Sequence, residues 1–319
     1  MLVTMTPGAD RNLVLERLRI AFIDIENQHD HELYVAWVLR QRRTLRGLIA
    51  TSDVEQLLFT PTYYRLADPA MRLPHGKQLL DVEIPERRAA LMEAHETLQR
   101  QIEAWDATAG KVLAVVDTSV FLSHPAWNQD DDPAAVIAGI PWAKEVAARA
   151  EDVLLVIPEV VVREFDRLKE SGNPKIRYRA QVTLAVIDRL LSDPDGTVPI
   201  RFRDREWIDN PMPLGAIALR MFYDDPAHRP LADEDSEIID RALAVQTLAG
   251  RPVCLVTMDT GMGLKARRAQ LRVFKPARAV EVPPPEGQSS RGRRREKTVD
   301  NPSGAADAGP VPKQAPVTG

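Results

Sequence analysis

The chain has 319 residues, 44% hydrophobic and 28% charged, which is ordinary globular composition and enough for one large domain or two smaller ones with a real core. No eighteen consecutive residues are apolar and residues 1–10 lack a basic flank followed by an apolar core, so neither a membrane span nor a secretory leader is expected. The lone Cys254 excludes an internal disulfide and reads as a small buried hydrophobe, which together points to the cytoplasm; the net charge of −4 says little about local patches.

Residues 1–110 read as a helical N-terminal region. Leu13, Leu15, Leu18, Ile20, Phe22 and Ile25 predict a helix over 12–27 that packs on more than one side. A second, over 31–48, interleaves Leu33, Val35, Val38, Leu39, Leu45 and Leu48 with Arg40, Arg42, Arg43 and Arg46, a cluster that could touch phosphates or simply face solvent. Residues 60–74, with prolines and paired tyrosines, read as a loop. Pro85 suits a first helical turn, and Leu91, Ala94, Leu98 and Trp105 follow at helical spacing. This helix packs on its predecessors or forms a dimerising hairpin, so the region offers a homodimer or protein-partner surface and no chemistry of its own.

After Gly110 strands alternate with helices, the pattern of a parallel sheet covered by helices. The apolar run 112–116 ends on Asp117, followed by Thr118 and Ser119. A polar loop over 123–133 and a helix near 141–150 lead to the strand 153–157; Pro158 opens the segment 159–169, and a helix covers 178–191 after Gly172-Asn173-Pro174. Residues 192–230, rich in Asp and Pro, read as an insertion holding one short strand, 198–202. Asp235 then precedes the apolar helix face of Ile238, Ile239, Ala242 and Val245. The strand 253–256 runs into Thr257-Met258-Asp259, and a basic helix with Lys265, Arg267 and Arg268 precedes an edge strand at 271–274. Residues 282–319 hold seven of the 25 prolines and few apolar residues, too few to bury a core, so they read as a disordered tail whose Arg291-Gly-Arg-Arg-Arg295 run could engage RNA or only solubilise.

Asp117 and Asp259 follow apolar strands, so both should emerge at the carboxyl edge of the sheet, where ligands gather in open α/β folds. Glu164 and Asp235 lie at or near helix starts after β connections. Carboxylates converging without cations repel, and a hard Mg²⁺ or Mn²⁺ ion removes the difficulty. Such a site can activate water and neutralise charge on a phosphodiester. Each acid taken singly has a plainer reading: Asp117 and Asp235 as helix caps, Asp259 as a turn former, Glu164 as solvated.

The four elements in order resemble the PIN-domain nucleases. Val116-Asp117-Thr118-Ser119 is similar to that family's strand ending in Asp-Thr-Asn/Ser, and Val161-Val162-Arg163-Glu164-Phe165-Asp166-Arg167-Leu168-Lys169 to its Val-x-x-Glu-Leu-Asp-x-Leu-Lys. Asp235, Ile238 and Ala242 match its Asp-x-x-Ile-x-x-x-Ala; Thr257, Asp259, Lys265 and Ala266 match its Thr-x-Asp with downstream Lys-Ala. The resemblance implies an α/β PIN-like domain over 111–281, a parallel sheet flanked by helices. It implies a Mg²⁺/Mn²⁺ site that cuts single-stranded RNA, or DNA in some members, with Asp117, Glu164, Asp235 and Asp259 as ligands and catalytic acids. Thr118, Ser119 and Thr257 would support them. Lys265, Arg267 and Arg268 would hold the RNA backbone or form a solvated face. Ser236 and Met258 stand where some members carry another Asp, which leaves the number of ions open, and Asp233 and Glu234 compete with Asp235. Other classes are a catalytically silent RNA-binding or scaffolding protein of the same fold and the toxin of a toxin–antitoxin pair; the N-terminal region and tail weigh against the toxin. A haloacid-dehalogenase-type phosphatase fits poorly, because position 119 is Ser where that chemistry needs an acid.

Overall fold

The computed structural model describes residues 3–68, 75–123, 151–191, 196–202, 214–224 and 228–276. The loop expected at 123–133 (beyond Ser123), the helix expected at 141–150 and the tail lie outside these residues.

The first third is helical: α1 (Arg11–Asp24) with a 3-10 turn (Ile25–Asn27), α2 (His31–Leu45), α3 (Thr51–Leu58), α4 (Pro61–Ala67) and α5 (Gly76–Asp106). Asp10 and Asp30 cap α1 and α2 by accepting backbone N–H groups, as short polar N-caps do. Two expectations are corrected here. Residues 61–67 form a helix, not a loop, because Thr60 caps it by accepting from the Tyr63 N–H at 2.9 Å and Pro61 sits in its first turn. Pro85 lies inside α5, which begins nine residues earlier than Pro85 suggested.

The sheet is built from β1 (Lys111–Val116), β2 (Asp152–Pro158), β3 (Thr197–Arg201), β4 (Ile217–Phe222), β5 (Val253–Val256) and β6 (Arg272–Phe274), in the order β3-β4-β2-β1-β5-β6. All pairings are parallel except β3 with β4. Between and after the strands come α6 (Thr118–Ser123), α7 (Glu159–Leu168), α8 (Pro174–Leu190), α9 (Glu234–Ala249) and α10 (Thr260–Arg268). The architecture is α/β, a mostly parallel sheet flanked by helices and preceded by a helical region.

The structure adds a strand to the segment read as an insertion. β4 pairs with β2 over six residues, and of the two strands in this segment only β3 lies at a sheet edge. Arg220 interrupts its apolar pattern, but its guanidinium lies 4.6 Å from the centroid of the Trp105 ring and donates to the Ala104 carbonyl at 3.1 Å. α5 thus shelters a charge that a lone strand could not bury. The central strands are closed on both faces: Leu113–Val116, Val153–Ile157 and Val253–Val256 are all buried. Cys254 is buried among them, and burial pushes its thiol up to about 11.

The chain winds from β1 outward to β2 and then β4, and returns to the other side of β1 at β5. The crevice between the carboxyl ends of β1 and β5 is the switch point at which open α/β sheets gather ligands. α5 sets the height of the helical region relative to that edge. Its last turn meets the amino ends of the strands, where Asp106 pairs with Arg11 at 2.8 Å and Arg251 donates to the Thr108 carbonyl at 2.9 Å. Thr97 and Arg100 border the same cleft as Asp224 and Arg241, past the end of β4.

Candidate active site

Asp117 directly follows β1, and its N–H donates to the Val256 carbonyl at 3.0 Å, which locks it beside the end of β5. Its carboxylate is 5% exposed. Thr257, the first residue after β5 and fully buried, donates from Oγ1 to Asp117 Oδ2 at 2.7 Å, and the Ser119 hydroxyl donates to the same oxygen. Ser119 Oγ also accepts from the Met258 N–H at 2.9 Å, and Thr257 Oγ1 from the Asp259 N–H at 2.9 Å. The two hydroxyls are thus pinned from behind by backbone and point their protons at the acid. Burial pushes the Asp117 carboxyl above its ordinary range; the Ser119 and Thr257 hydrogen bonds oppose this, and the Asp235 charge reinforces it.

Glu164 sits on the second turn of α7, half-buried. Thr118 Oγ1 donates to its Oε2 at 2.5 Å, so neighbouring residues of the β1–α6 turn hold Asp117 and, through Thr118, Glu164. Burial raises the Glu164 carboxyl as well, with the Thr118 bond opposing and the Asp117 charge adding to it. At the start of α9 three adjacent acids are sorted by their partners. Asp233 is the N-cap, accepting from the Ser236 N–H at 3.3 Å and its hydroxyl at 2.5 Å. Glu234 pairs with Arg167 of α7. Asp235 is the one whose charge acts on Asp117.

Asp259 and Lys265 occupy less simple positions. Asp259 is exposed and caps α10, accepting from the Met262 N–H at 2.9 Å. Lys265 Nζ bridges Asp233 and Asp235 at 2.8 and 3.1 Å, so the base expected to touch phosphate here neutralises acids at the rim. Arg267 and Arg268 are exposed and have no ion pair among the described residues. The structure therefore brings Asp117, Glu164 and Asp235 into one electrostatic group around the β1 end, with Asp259 beside it on the neighbouring turn.

A second polar cluster, which the sequence reading left inside the insertion, lies on another side of α9. Among the described residues, Asp224, His228 and Glu237 are the three ligand-type side chains whose atoms come within 4.8 Å of one another, close enough to hold a metal ion. Partners already reach them: His228 Nε2 is 2.6 Å from Glu237 Oε1, and two guanidinium cations follow, Arg241 at 3.5 Å from both Glu237 and Asp224 and Arg163 at 3.1 Å from Asp224. Burial raises the Asp224 carboxyl, and Arg241 holds it back. The sequence signal for this cluster was the i,i+4 spacing of Glu237 and Arg241 on α9.

The donors around Asp117 are carboxylate and hydroxyl oxygens only, a set suited to a hard divalent cation. No helix among the described residues is long and apolar enough to cross a membrane. The chain matches no curated protein. A family model for the PIN domain matches residues 114–277, the span that carries the sheet and all four acids. PIN domains are generally nucleases that use divalent metals and act on nucleic acid. The chain belongs to the PIN-domain family.

Proposed function

We propose that this chain is a Mg²⁺- or Mn²⁺-dependent endoribonuclease acting on single-stranded RNA, with Asp117, Glu164, Asp235 and Asp259 as the carboxylates that hold the metal. The observation that carries this reading is Asp117: a buried acid, held by hydroxyls and pressed by a second acid, with no lysine or arginine ion-paired to it among the described residues. A buried carboxylate in that setting favours either a proton or a cation. When bound, a divalent ion supplies positive charge to the scissile phosphodiester and acidifies water.

The protein's own groups perform the positioning. Ser119 and Thr257 fix the Asp117 carboxylate, Thr118 fixes Glu164, and Lys265 orients Asp235 until it is displaced or shifts. Arg267 and Arg268 on α10 offer charge to the RNA backbone. In the same reading the chain divides into a helical region (1–110) that offers a surface for a protein partner or a second copy, the nuclease domain (111–281) and a basic tail, and it works in the cytoplasm. The Lys265–Asp235 pair favours the second reading, an RNA-binding fold that does not cut, since it fills one ligand's coordination with an ammonium.

Cleavage of labelled single-stranded RNA and DNA in Mn²⁺, Mg²⁺ or EDTA, by the wild type and Asp117→Asn, decides between them. Metal-dependent cutting of RNA that vanishes in Asp117→Asn is the expected result. RNA binding by both proteins with cutting by neither would put the silent fold ahead.

A further inference from the structure

A group of side chains on the helical region reaches from its core out to solvent and takes no part in the carboxylate site. Tyr63 is buried and anchors two other rings: Phe59 meets it edge-on with centroids 5.0 Å apart, and Tyr64 does so at 5.3 Å. Phe59 and Tyr64 lie 6.3 Å apart, tilted by 36°. Tyr64 is 61% exposed, so a rigidly mounted ring presents its surface to solvent. The Arg42 guanidinium stands 5.5 Å from the Phe59 centroid. Arg43 lies on α2 and Arg46 at its C-cap, Arg65 follows Tyr64 on α4, all three are exposed, and among the described residues none of these four arginines has an ion pair. This concentration of unpaired positive charge occurs in a chain whose net charge is −4.

We infer that this α2–α4 surface, built on Arg42, Arg43, Arg46, Arg65 and Tyr64, is a docking site for single-stranded RNA that holds the substrate outside the catalytic crevice. Unpaired arginines match phosphates, and an exposed aromatic ring beside them matches a base face, the combination by which single strands are held without reading sequence. A folded protein partner would more commonly be met by a buried apolar centre than by four unneutralised cations. The mount is rigid too. α3 and α4 pack on the first half of α5: Arg87 donates to the Leu57 carbonyl at 3.1 Å, and Thr60 to Glu83 at 2.7 Å. None of these residues belongs to the Asp117 crevice, so a strand has to be long to touch both. The inference rests on the nucleic-acid reading of the acid site for its biological sense, but its test does not.

Binding of a labelled long single-stranded RNA is measured by anisotropy across a salt series, in the Asp117→Asn protein so that nothing is cut. Substituting Arg43→Ala and Arg46→Ala together should lower the slope of log affinity against log salt by about 1.4, at roughly 0.7 per lost phosphate contact on a single strand. Tyr64→Ala should weaken binding roughly tenfold and Tyr64→Phe should restore it, since stacking needs the ring and not the hydroxyl. In the cutting protein the same changes should raise KM for long RNA more than for a short oligomer. The exposed side chains of Arg43 and Arg46 make no hydrogen bond or ion pair among the described residues, so that variant stays folded even if Tyr64→Ala does not. Unchanged affinity and slope in the double arginine variant, with wild type cutting RNA, would overturn the docking site and leave the nuclease standing. A wild type that cuts nothing, with binding that still falls in these variants, would do the reverse.

Discussion

Asp235 and Glu237 are two residues apart on α9, and the 200° between them sends their carboxylates into opposite settings. Glu237 is 1% exposed and meets Arg241 and His228, with Asp224 and its partner Arg163 alongside; every buried acid there has a cation within reach. Asp235 acts on Asp117, which like Glu164 is hydrogen-bonded by hydroxyls, those of Ser119 and Thr257 on Asp117 and of Thr118 on Glu164. Both clusters bury carboxylates at the same edge of one sheet. Only the first pairs its buried acids with a guanidinium; in the second, Lys265 and Arg167 reach the partly exposed rim and leave Asp117 without a cation. The difference teaches where to expect function: a neutralised cluster holds the fold together, whereas a buried acid without a cation depends on the proton or metal it can take from solution.

Changing Asp117→Asn should have the largest effect on activity, a loss of more than about 100-fold, since even groups that merely orient a ligand cost 10–100-fold. The same substitution should raise the melting temperature of metal-free protein, because it removes an uncompensated buried charge. A lowered metal-free melting temperature would mean that Asp117 is matched by something the contacts do not reveal. Arg241→Met is the counterpart in the neutralised cluster. It strands Asp224 and Glu237 without their shared guanidinium, and urea unfolding should show a loss of about 3–5 kcal/mol. A loss below about 1 kcal/mol would break the comparison. Thr257→Val keeps the shape of the side chain but takes the proton from Asp117 Oδ2, so metal affinity or cleavage should fall by about 10–100-fold with little change in folding.

Burial raises Asp224 as it raises the catalytic acids, so the two clusters share the sign of their pH response and differ in which variant removes it. Asp117 and Glu164 have carboxyls raised by burial, so the folded protein holds their protons to higher pH than the unfolded chain. Between the ordinary carboxylate range and those raised values the unfolded state binds fewer protons, and metal-free stability must fall as pH rises through that window. The slope cannot exceed about 1.4 kcal/mol per pH unit for each group, and it should flatten in Asp117→Asn. Saturating Mn²⁺ should also flatten it by taking the place of the protons, and cleavage should rise with pH through the same window. A metal-free protein that gains stability over this range would contradict the burial argument.

Much of this contrast was legible in the sequence on one side and little on the other. Asp117 ends an unbroken apolar strand, and Thr118, Ser119 and Thr257 flank strand ends, so backbone periodicity alone places them together. The neutralised cluster draws Asp224 and His228 from a stretch rich in Asp and Pro, where Arg220 disguised β4 as part of an insertion; Trp105, more than a hundred residues earlier, is what shelters that arginine. Long-range shelter of a charge leaves no local pattern. The α4 helix was missed for the opposite reason. Its Thr60-Pro61 start is a local helix signal, but the same prolines with paired tyrosines also suit a turn, and local pattern does not choose between them.

Lys265 is where the comparison is most finely balanced, because it lends the catalytic side a little of what the neutralised side has in full. Its ammonium bridges Asp233 and Asp235, and both ends of the bridge are half-exposed, so water screens it far more than it screens Arg241. If the ammonium stands where a cation is wanted, Lys265→Ala should free Asp235 and tighten Mn²⁺ binding, by less than about fivefold for so exposed a pair. Calorimetric titration of wild type and variant with Mn²⁺ reads this directly. The alternative role, as a hand on the RNA backbone, predicts the other pattern: unchanged metal affinity with weaker RNA binding and a salt slope reduced by about 0.7. Ion pairing with two acids argues for the first, since a lysine released to phosphate must give up both carboxylates unless the metal arrives to take Asp235 in its place.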